Sequence, residues 1–185
     1  IVGCLGGLFT LSSCTAPTNI KDYSAYVNPF IGTGGHGHTF PGAVVPHGMI
    51  QPSPDTRIDG WDACSGYYYA DSTINGFSHT HVSGTGCCDY GDVLLMPTVG
   101  KQQYRTTDPQ SQRLAYASSF SHKNEIAEPG YYSVFLDTYQ VKAEISSTKR
   151  GAIHRYTFPE NTESGFIIDL DYSLQRQTNS EMEIE

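Results

Sequence analysis

Basic residues are scarce in this 185-residue chain, with 11 Lys and Arg against 19 Asp and Glu and a formal net charge of −8. Proteins that bind nucleic acids or anionic membranes electrostatically present a basic surface, so this balance argues against both kinds of partner. Charged residues make up only 16% of the chain and hydrophobic residues 38%, and both values are low for a globular domain.

Glycine, proline and tyrosine take the place of the missing residues, with 19 Gly, 10 Pro and 13 Tyr. Turn-forming and aromatic residues disfavour a helical bundle and favour strands joined by turns. The aromatic content of 12% is too high for a disordered chain. The length leaves room for one domain, and we therefore predict an all-β domain.

The first 13 residues have the character of a targeting segment. Residues 1–11 are uncharged and mostly apolar, which is too short to span a bilayer but suits the core of a secretory signal. Because neither an initial Met nor a basic region precedes them, we interpret residues 1–13 as the rear part of a signal peptide. Leu11-Ser12-Ser13-Cys14 resembles a bacterial lipobox, which predicts lipidation of Cys14. The alternative is an ordinary signal peptide that contains a cysteine.

Residues 14–25 then form a tether, and we expect an exported protein held at the periplasm or outer membrane by its lipid alone. With Cys14 acylated, three cysteines remain in the domain: Cys64, Cys87 and Cys88. Disulfides persist in exported proteins, so Cys64 is able to pair with Cys87 or with Cys88. A buried thiol is an equal alternative, and no CxxC zinc pattern occurs.

The second half of the chain carries the clearest strand pattern. Apolar and polar residues alternate over 140–146, which predicts that Val141, Ala143 and Ile145 face a core while Lys142 and Glu144 face water. We predict further strands at 131–136, 151–158, 166–170 and, beginning at the chain end, 182–185, with a tight turn at 137–138 and a loop at 161–165. The best helix candidate is 112–118.

Antiparallel strands joined by short turns predict a β-sandwich, here spanning residues 26–185. The strand pattern at 182–185 stops without a turn. We therefore expect the sandwich to be incomplete at its C-terminal end.

A glycine-rich run occupies residues 28–42 and fits neither the dinucleotide-binding fingerprint nor a P-loop. It contains Gly35, His36 and His38 in a backbone able to approach a ligand closely, although a loop of tight turns is the alternative. His36/His38 and His79/His81 are two His-x-His pairs. Each pair is able to present two imidazoles to one transition metal, with Asp89 and Asp92 as further ligands, unless these are core histidines.

The single Trp of the chain lies in a short polar segment. Arg57, Asp59, Trp61 and Asp62 are a typical sugar-recognition set, because an indole accepts the C–H face of a pyranose while charged groups bind hydroxyls. The alternative is a core Trp beside a surface ion pair. Asp59 and Asp62 also suggest a glycosidase pair, but closeness in sequence does not set the carboxyl separation that this chemistry needs.

Together, segments in order along residues 26–185 resemble the N-terminal domain of glycoside hydrolase family 92, the exo-α-mannosidases abundant in Bacteroidetes. The resemblance is carried by YVNPFIGTGGHGHTFPGA at 26–43, GWDACSGY at 60–67, GFSHTHVSGTGC at 76–87, DYGD at 89–92, FSH at 120–122, PGYY at 129–132, KR at 149–150 and HRY at 154–156.

The resemblance implies a calcium-dependent, inverting enzyme acting on terminal α-mannose of N-glycans or mannan. It implies a β-sandwich packed on a C-terminal (α/α)6 barrel that supplies a Glu general acid and an Asp general base, so no catalytic residue is expected before residue 185. Calcium prefers oxygen ligands, so its site is expected mainly in that barrel.

For this domain the resemblance implies sugar recognition, with Trp61 as the aromatic wall of the mannose pocket. Arg57, Asp59 and Asp62 join Trp61 on chemical grounds. The resemblance further implies that the pocket or the domain interface is lined by Gly35, His36, His38, His79 and His81. A stand-alone carbohydrate-binding lipoprotein without activity is the alternative function.

Overall fold

The computed structural model describes residues 21–101, 113–160 and 162–174. The predicted signal peptide, Cys14 and the predicted strand at 182–185 lie outside these ranges. Within them no helix has the length and apolar character needed to cross a bilayer. The described chain forms 3-10 helices at Ser24–Tyr26 and Trp61–Ala63 and the strands β1 (Ser53–Asp55), β2 (Thr73–Ile74), β3 (Gly76–Ser78), β4 (Leu94–Val99), β5 (Ser118–Glu128), β6 (Tyr131–Leu136), β7 (Val141–Ser147), β8 (Ala152–Thr157) and β9 (Ser164–Asp169).

The strands form two sheets, and every pairing between neighbours is antiparallel. One sheet has the order β1-β3-β4-β9 and the other the order β2-β5-β6-β7-β8. The prediction of an all-β, antiparallel sandwich is confirmed.

A hydrophobic core lies between the two sheets. Phe77 of the first sheet is fully buried, and its ring centroid lies 6.4 Å from that of Tyr132 in the second. Burial of such side chains is the main favourable contribution to folding. The core is completed by Ala43, Ile74, Leu94, Met96, Tyr116, Phe120, Val134, Leu136, Tyr139, Val141, Ala143, Ile145, Ile167 and Tyr172.

The predicted strands at 131–136, 140–146, 151–158 and 166–170 correspond to β6, β7, β8 and β9. The turn between β6 and β7 is longer than the predicted pair and ends at Gln140, which adopts a φ of 54°. Glu144 is buried, so the prediction that it faces water is wrong. The Arg155 guanidinium and the Tyr131 hydroxyl both donate hydrogen bonds to its carboxylate and cover it.

The weak helix prediction for 112–118 is wrong over its described part, because 113–117 form a turn and Ser118 begins β5. The sequence pattern also missed β5, the longest strand of the described chain. Its pairing with β6 shifts register between Phe120 and Glu125. That shift interrupts the two-residue alternation by which a strand is recognised in a sequence.

Candidate functional site

Trp61 lies at the start of a tight turn whose last residues are buried. Gly60 has a φ of 95°, a conformation that glycine adopts without steric cost, and the 3-10 turn Trp61–Ala63 follows it. Ala63 and Cys64, at the end of this turn, are buried and fix it to the body of the domain. The Trp61 side chain is left 56% exposed, so the alternative of a core Trp is excluded.

The glycine-rich run folds back on itself beside this turn. The Thr39 amide donates to the Gly32 carbonyl over 3.3 Å. A Cβ atom on Gly37 would lie 2.1 Å from the Gly32 carbonyl oxygen, so only glycine permits this approach of the backbone. The close turn carries His36 and His38 towards Trp61.

Two imidazoles and one carboxylate surround the indole of Trp61. The His36 ring centroid lies 4.8 Å from that of Trp61, and the His38 ring meets Trp61 edge to face at 4.4 Å. His36 Nδ1 donates to Asp62 Oδ1 over 2.8 Å, while His38 Nε2 lies 3.7 Å from the same oxygen. We call the set His36, His38, Trp61 and Asp62 the indole cluster.

Asp62 and His38 are polar groups of the indole cluster that a ligand could contact. The hydrogen bond from His36 is the main reason that the pKa of Asp62 lies below its usual value, so the group is a carboxylate at neutral pH. His38 is buried, and its Nε2 has no hydrogen-bond partner among the described residues. His38 also adopts a φ of 50°, which is uncommon for a residue with a side chain. A polar atom buried in this way is satisfied by an ordered water molecule or by a ligand that brings a donor or acceptor.

Residues 84–88 form the second wall of the indole cluster. The Gly84 amide donates to the His38 carbonyl over 2.6 Å. A Cβ atom on Gly86 would lie 2.4 Å from Trp61 Nε1, so the backbone rests directly against the indole. Gly84 and Gly86 belong to the segment 76–87 that carries the family resemblance, and their Gly-Thr-Gly spacing is a signal of close backbone approach.

Gly35 lies in the same close turn as His36 and has a φ of 56°. Its location agrees with a loop that a ligand approaches, and its contact with sugar stays a prediction.

Arg57 and Asp59 are near Trp61 in sequence but have other contacts. The Arg57 guanidinium pairs with Asp71 through two hydrogen bonds of 2.8 and 3.0 Å and lies 3.8 Å above the Tyr68 ring. The Asp59 carboxylate accepts the Gly60 amide over 2.7 Å and so shapes the turn before Trp61. Sugar binding by Arg57 and Asp59 stays a prediction.

His79 and His81 do not face a common point. His81 Nδ1 donates to the Gln51 carbonyl over 2.7 Å, and its Nε2 lies 2.9 Å from Asp55 Oδ1 in a buried site. His79 Nδ1 donates to the Val93 carbonyl. The hypothesis that this pair shares one metal is therefore wrong, because both ring nitrogens of His81 and Nδ1 of His79 already have partners.

The remaining nitrogen of His79 belongs to a buried chain of three side chains. His79 Nε2 lies 3.1 Å from His154 Nε2, and His154 Nδ1 lies 2.7 Å from the Tyr156 hydroxyl. Because His79 donates through Nδ1, its neutral form accepts at Nε2 from His154. Burial lowers the pKa of His154 to about 4.

Within the described ranges, one group of three His, Cys, Asp or Glu donors is close enough to share an ion: His36, His38 and Asp62, whose ligand atoms lie within 4.8 Å of one another. Two imidazole nitrogens and one carboxylate suit a transition metal rather than calcium, which takes six to eight oxygens. This group therefore does not fit a calcium site.

Two antiparallel sheets that carry an aromatic, imidazole and carboxylate cluster on glycine-rich loops define a β-sandwich with a candidate site for a polar ligand. Residues 26–185 match the glycosyl hydrolase family 92 N-terminal domain, and the chain belongs to this family.

Solved structures of related proteins give the same assignment. A family GH92 α-mannosidase from Bacteroides thetaiotaomicron, solved in complex with mannoimidazole, is 44% identical and covers 82% of this chain with a TM-score of 0.77. A family GH92 inverting mannosidase from the same species is 33% identical over 82% of the chain, with a TM-score of 0.66. This chain covers 20% of each of those two proteins.

A curated relative from the fungus Arthroderma benhamiae, described as an uncharacterized secreted glycosidase, is 32% identical over 143 residues. That match covers 76% of this chain and 18% of the relative. The chain thus spans about a fifth of the length of the proteins it matches.

Proposed function

We propose that this chain is the N-terminal portion of an exo-acting, inverting α-mannosidase and that the indole cluster binds the terminal mannose. The observation that carries the proposal is the half-exposed indole of Trp61, flanked by two imidazoles and an ionised carboxylate. The mannosidase relatives support mannose as the sugar.

The chemistry of the cluster matches a pyranose. The indole face packs against the C–H face of the ring. The Asp62 carboxylate accepts hydrogen bonds from sugar hydroxyls, and such charge-assisted bonds are the stronger ones. His38 Nε2 gains a hydroxyl partner that no described residue supplies, so sugar binding removes the cost of a buried polar atom without a partner.

Cleavage itself requires groups outside this chain. Inverting hydrolysis needs two carboxyl groups about 6.5–9.5 Å apart with a water molecule on one side of the sugar. We assign both groups to a C-terminal helical domain beyond residue 185. The indole cluster then closes the pocket from the sandwich side and forms part of the interface between the two domains.

Calcium belongs to the proposal only as a property of the whole enzyme. The described residues offer a nitrogen-rich cluster that does not fit calcium, so we place the ligands of this ion in the helical domain. Export is supported by the secreted relative, and anchoring through a lipid on Cys14 at the periplasm or outer membrane is proposed from the lipobox alone.

Two measurements test this division of roles. We expect the 185-residue chain to bind methyl α-mannoside without hydrolysing an aryl α-mannoside. We also expect the reading frame beyond residue 185 to encode a large helical domain whose addition produces hydrolysis. Hydrolysis by the 185-residue chain alone would contradict the proposal. A stop codon just after residue 185 together with mannoside binding would instead identify a stand-alone carbohydrate-binding protein.

A further inference from the structure

Two cysteines meet behind the wall of the indole cluster. Cys64 Sγ and Cys88 Sγ lie 2.9 Å apart, although 24 positions separate them in the sequence. Cys64 is buried at the end of the Trp61 turn, Cys88 is partly buried, and their neighbour Cys87 is exposed. Cys88 Sγ also lies 3.5 Å from the Gly60 carbonyl oxygen, so it touches both ends of that turn.

The separation of the two sulfurs is shorter than a van der Waals contact. A disulfide has a sulfur–sulfur bond of about 2.05 Å, so the two atoms have less than about 1 Å to close. Residues in loops make such a shift more easily than residues within a sheet, and Cys64 and Cys88 both lie outside the strands.

We propose that Cys64 and Cys88 form a disulfide that fastens residues 84–88 to the Trp61 turn, while Cys87 stays a thiol. The bond would lock the backbone of Gly86 against the Trp61 indole and the Gly84 amide against the His38 carbonyl, both of which are already in contact. The disulfide would therefore hold the second wall of the indole cluster in place.

Forming this disulfide requires an oxidant, and a small disulfide such as oxidised glutathione supplies the oxidation. The Cys88 thiolate attacks one glutathione sulfur and releases the first glutathione thiolate. Cys64 then attacks the Cys88 sulfur of the mixed disulfide and releases the second. Two protons from the cysteines end on two reduced glutathiones, and the protein loses two electrons. Cys88 makes the first attack because it is the more accessible of the two, and burial raises the pKa of the Cys64 thiol.

Peptide mapping tests the pairing directly. The 185-residue chain carrying Cys4→Ser and Cys14→Ser would be equilibrated with oxidised glutathione, alkylated and digested without reduction. We expect Cys64 linked to Cys88, with Cys87 outside the link as an alkylated thiol or as a mixed disulfide with glutathione. A Cys64–Cys87 link, or the absence of a link between Cys64 and Cys88, would overturn the proposal.

Fluorescence gives a second measurement, because Trp61 is the only Trp of the chain. We expect oxidised glutathione to change the Trp61 emission and dithiothreitol to reverse the change, in the parent and in the Cys87→Ser variant but not in Cys88→Ser. The Cys87→Ser variant is the matched control, since it changes the neighbouring residue and retains the pair. An equal response in Cys88→Ser would also overturn the proposal. Both readouts are independent of mannose, so they fail or succeed separately from the proposed function.

Discussion

Strands β5–β9 are six to eleven residues long, whereas β1–β3 have only two or three residues each. The longer strands form extended antiparallel ladders, with one shift of register between β5 and β6. Most of residues 21–93 instead keep their shape through turns and side-chain hydrogen bonds, such as those from Thr56 and Arg57 to Asp71. The indole cluster lies entirely in this irregular part.

The difference shows how the two parts divide their roles. In a regular ladder the backbone N–H and C=O groups are paired with one another. The inward-facing side chains of the ladder are closely packed in the core. Loops resting on such a scaffold are able to turn polar groups towards a ligand, as at His38. Buried polar atoms that lack a partner among the described residues are not confined to the loops, because Asp55 Oδ2 at the end of β1 and Ser147 Oγ at the end of β7 are two more. We therefore expect substitutions in the ladder to change stability and substitutions in the loops to change binding.

The largest expected effect is on the core of the ladder. Leu136→Ala removes a fully buried side chain and should lower the free energy of unfolding by about 2–5 kcal/mol. Urea denaturation followed by circular dichroism measures it. The control is Ile153→Ala on β8, where the side chain is 71% exposed and the change should stay within about 0.5 kcal/mol. Equal losses in both variants would contradict this account of the core.

A pH dependence of stability is expected from His154 of β8, which contacts His79 just after β3. Burial lowers the pKa of this group from 6.5 to about 4. The unfolded chain therefore takes up a proton between these values that the folded chain does not. Stability should be highest above about pH 6.5, fall as the pH decreases towards 4, and lose on the order of 3 kcal/mol in total. His79, whose pKa burial also lowers, contributes in the same direction.

Urea denaturation at a series of pH values measures that slope. His154→Gln should flatten it between pH 6.5 and 5, and His47→Gln, which changes an exposed residue, should leave it unchanged. An unaltered slope in His154→Gln would show that His154 is not the group responsible.

One buried carboxylate joins the two parts of the molecule. Glu125 of β5 accepts hydrogen bonds from the Tyr132 hydroxyl at 2.6 Å and from the Tyr67 hydroxyl of the irregular part at 3.0 and 3.1 Å. Glu125→Gln weakens these charge-assisted bonds and should lower the free energy of unfolding by about 1–3 kcal/mol. Thermal unfolding compares it with Glu128→Gln, which alters an exposed residue of the same strand. If Glu125→Gln unfolds at the same temperature as the parent, the claim that Glu125 stabilises the contact between the two parts is contradicted.

The smallest effect on stability, but a clear one on binding, is expected at Gly86. A Cβ atom there would lie 2.4 Å from Trp61 Nε1, so Gly86→Ala should displace the indole. We expect the affinity for methyl α-mannoside to fall about 10-fold, or roughly 1.4 kcal/mol. Gly151→Ala is the control, because its Cβ would meet only the Thr148 side chain at 3.8 Å. A variant that binds as well as the parent would contradict the packing of residues 84–88 on Trp61.

The sequence predicts the position of a strand well where apolar and polar residues alternate, as in β7. It fails at β5, where the register shift between Phe120 and Glu125 breaks the alternation. It also fails at Glu144, because the partners that cover this residue come from neighbouring strands. The periodicity of a strand predicts which face of the sheet a side chain occupies. It does not predict which side chains of neighbouring strands cover that side chain.

The sequence identifies the individual residues of the candidate site, but not the contacts that bring distant residues together. Trp61 and Asp62 are adjacent in sequence, so their shared location needed no tertiary structure. The contact between His36 and Asp62 joins residues 26 positions apart and depends on the fold of the glycine-rich run. The His79/His81 pair had the same spacing as His36/His38, yet the two rings have separate partners, which spacing alone does not reveal.

Titration of Trp61 fluorescence with methyl α-mannoside tests most directly the proposal that the indole cluster binds a terminal mannose. Because this is the only Trp, its emission reports the cluster. The account predicts a saturable change in the parent that weakens in His38→Ala and is absent with methyl α-glucoside, which differs at the C2 hydroxyl. A folded chain whose emission stays constant throughout the titration, or responds equally to both sugars, would contradict it.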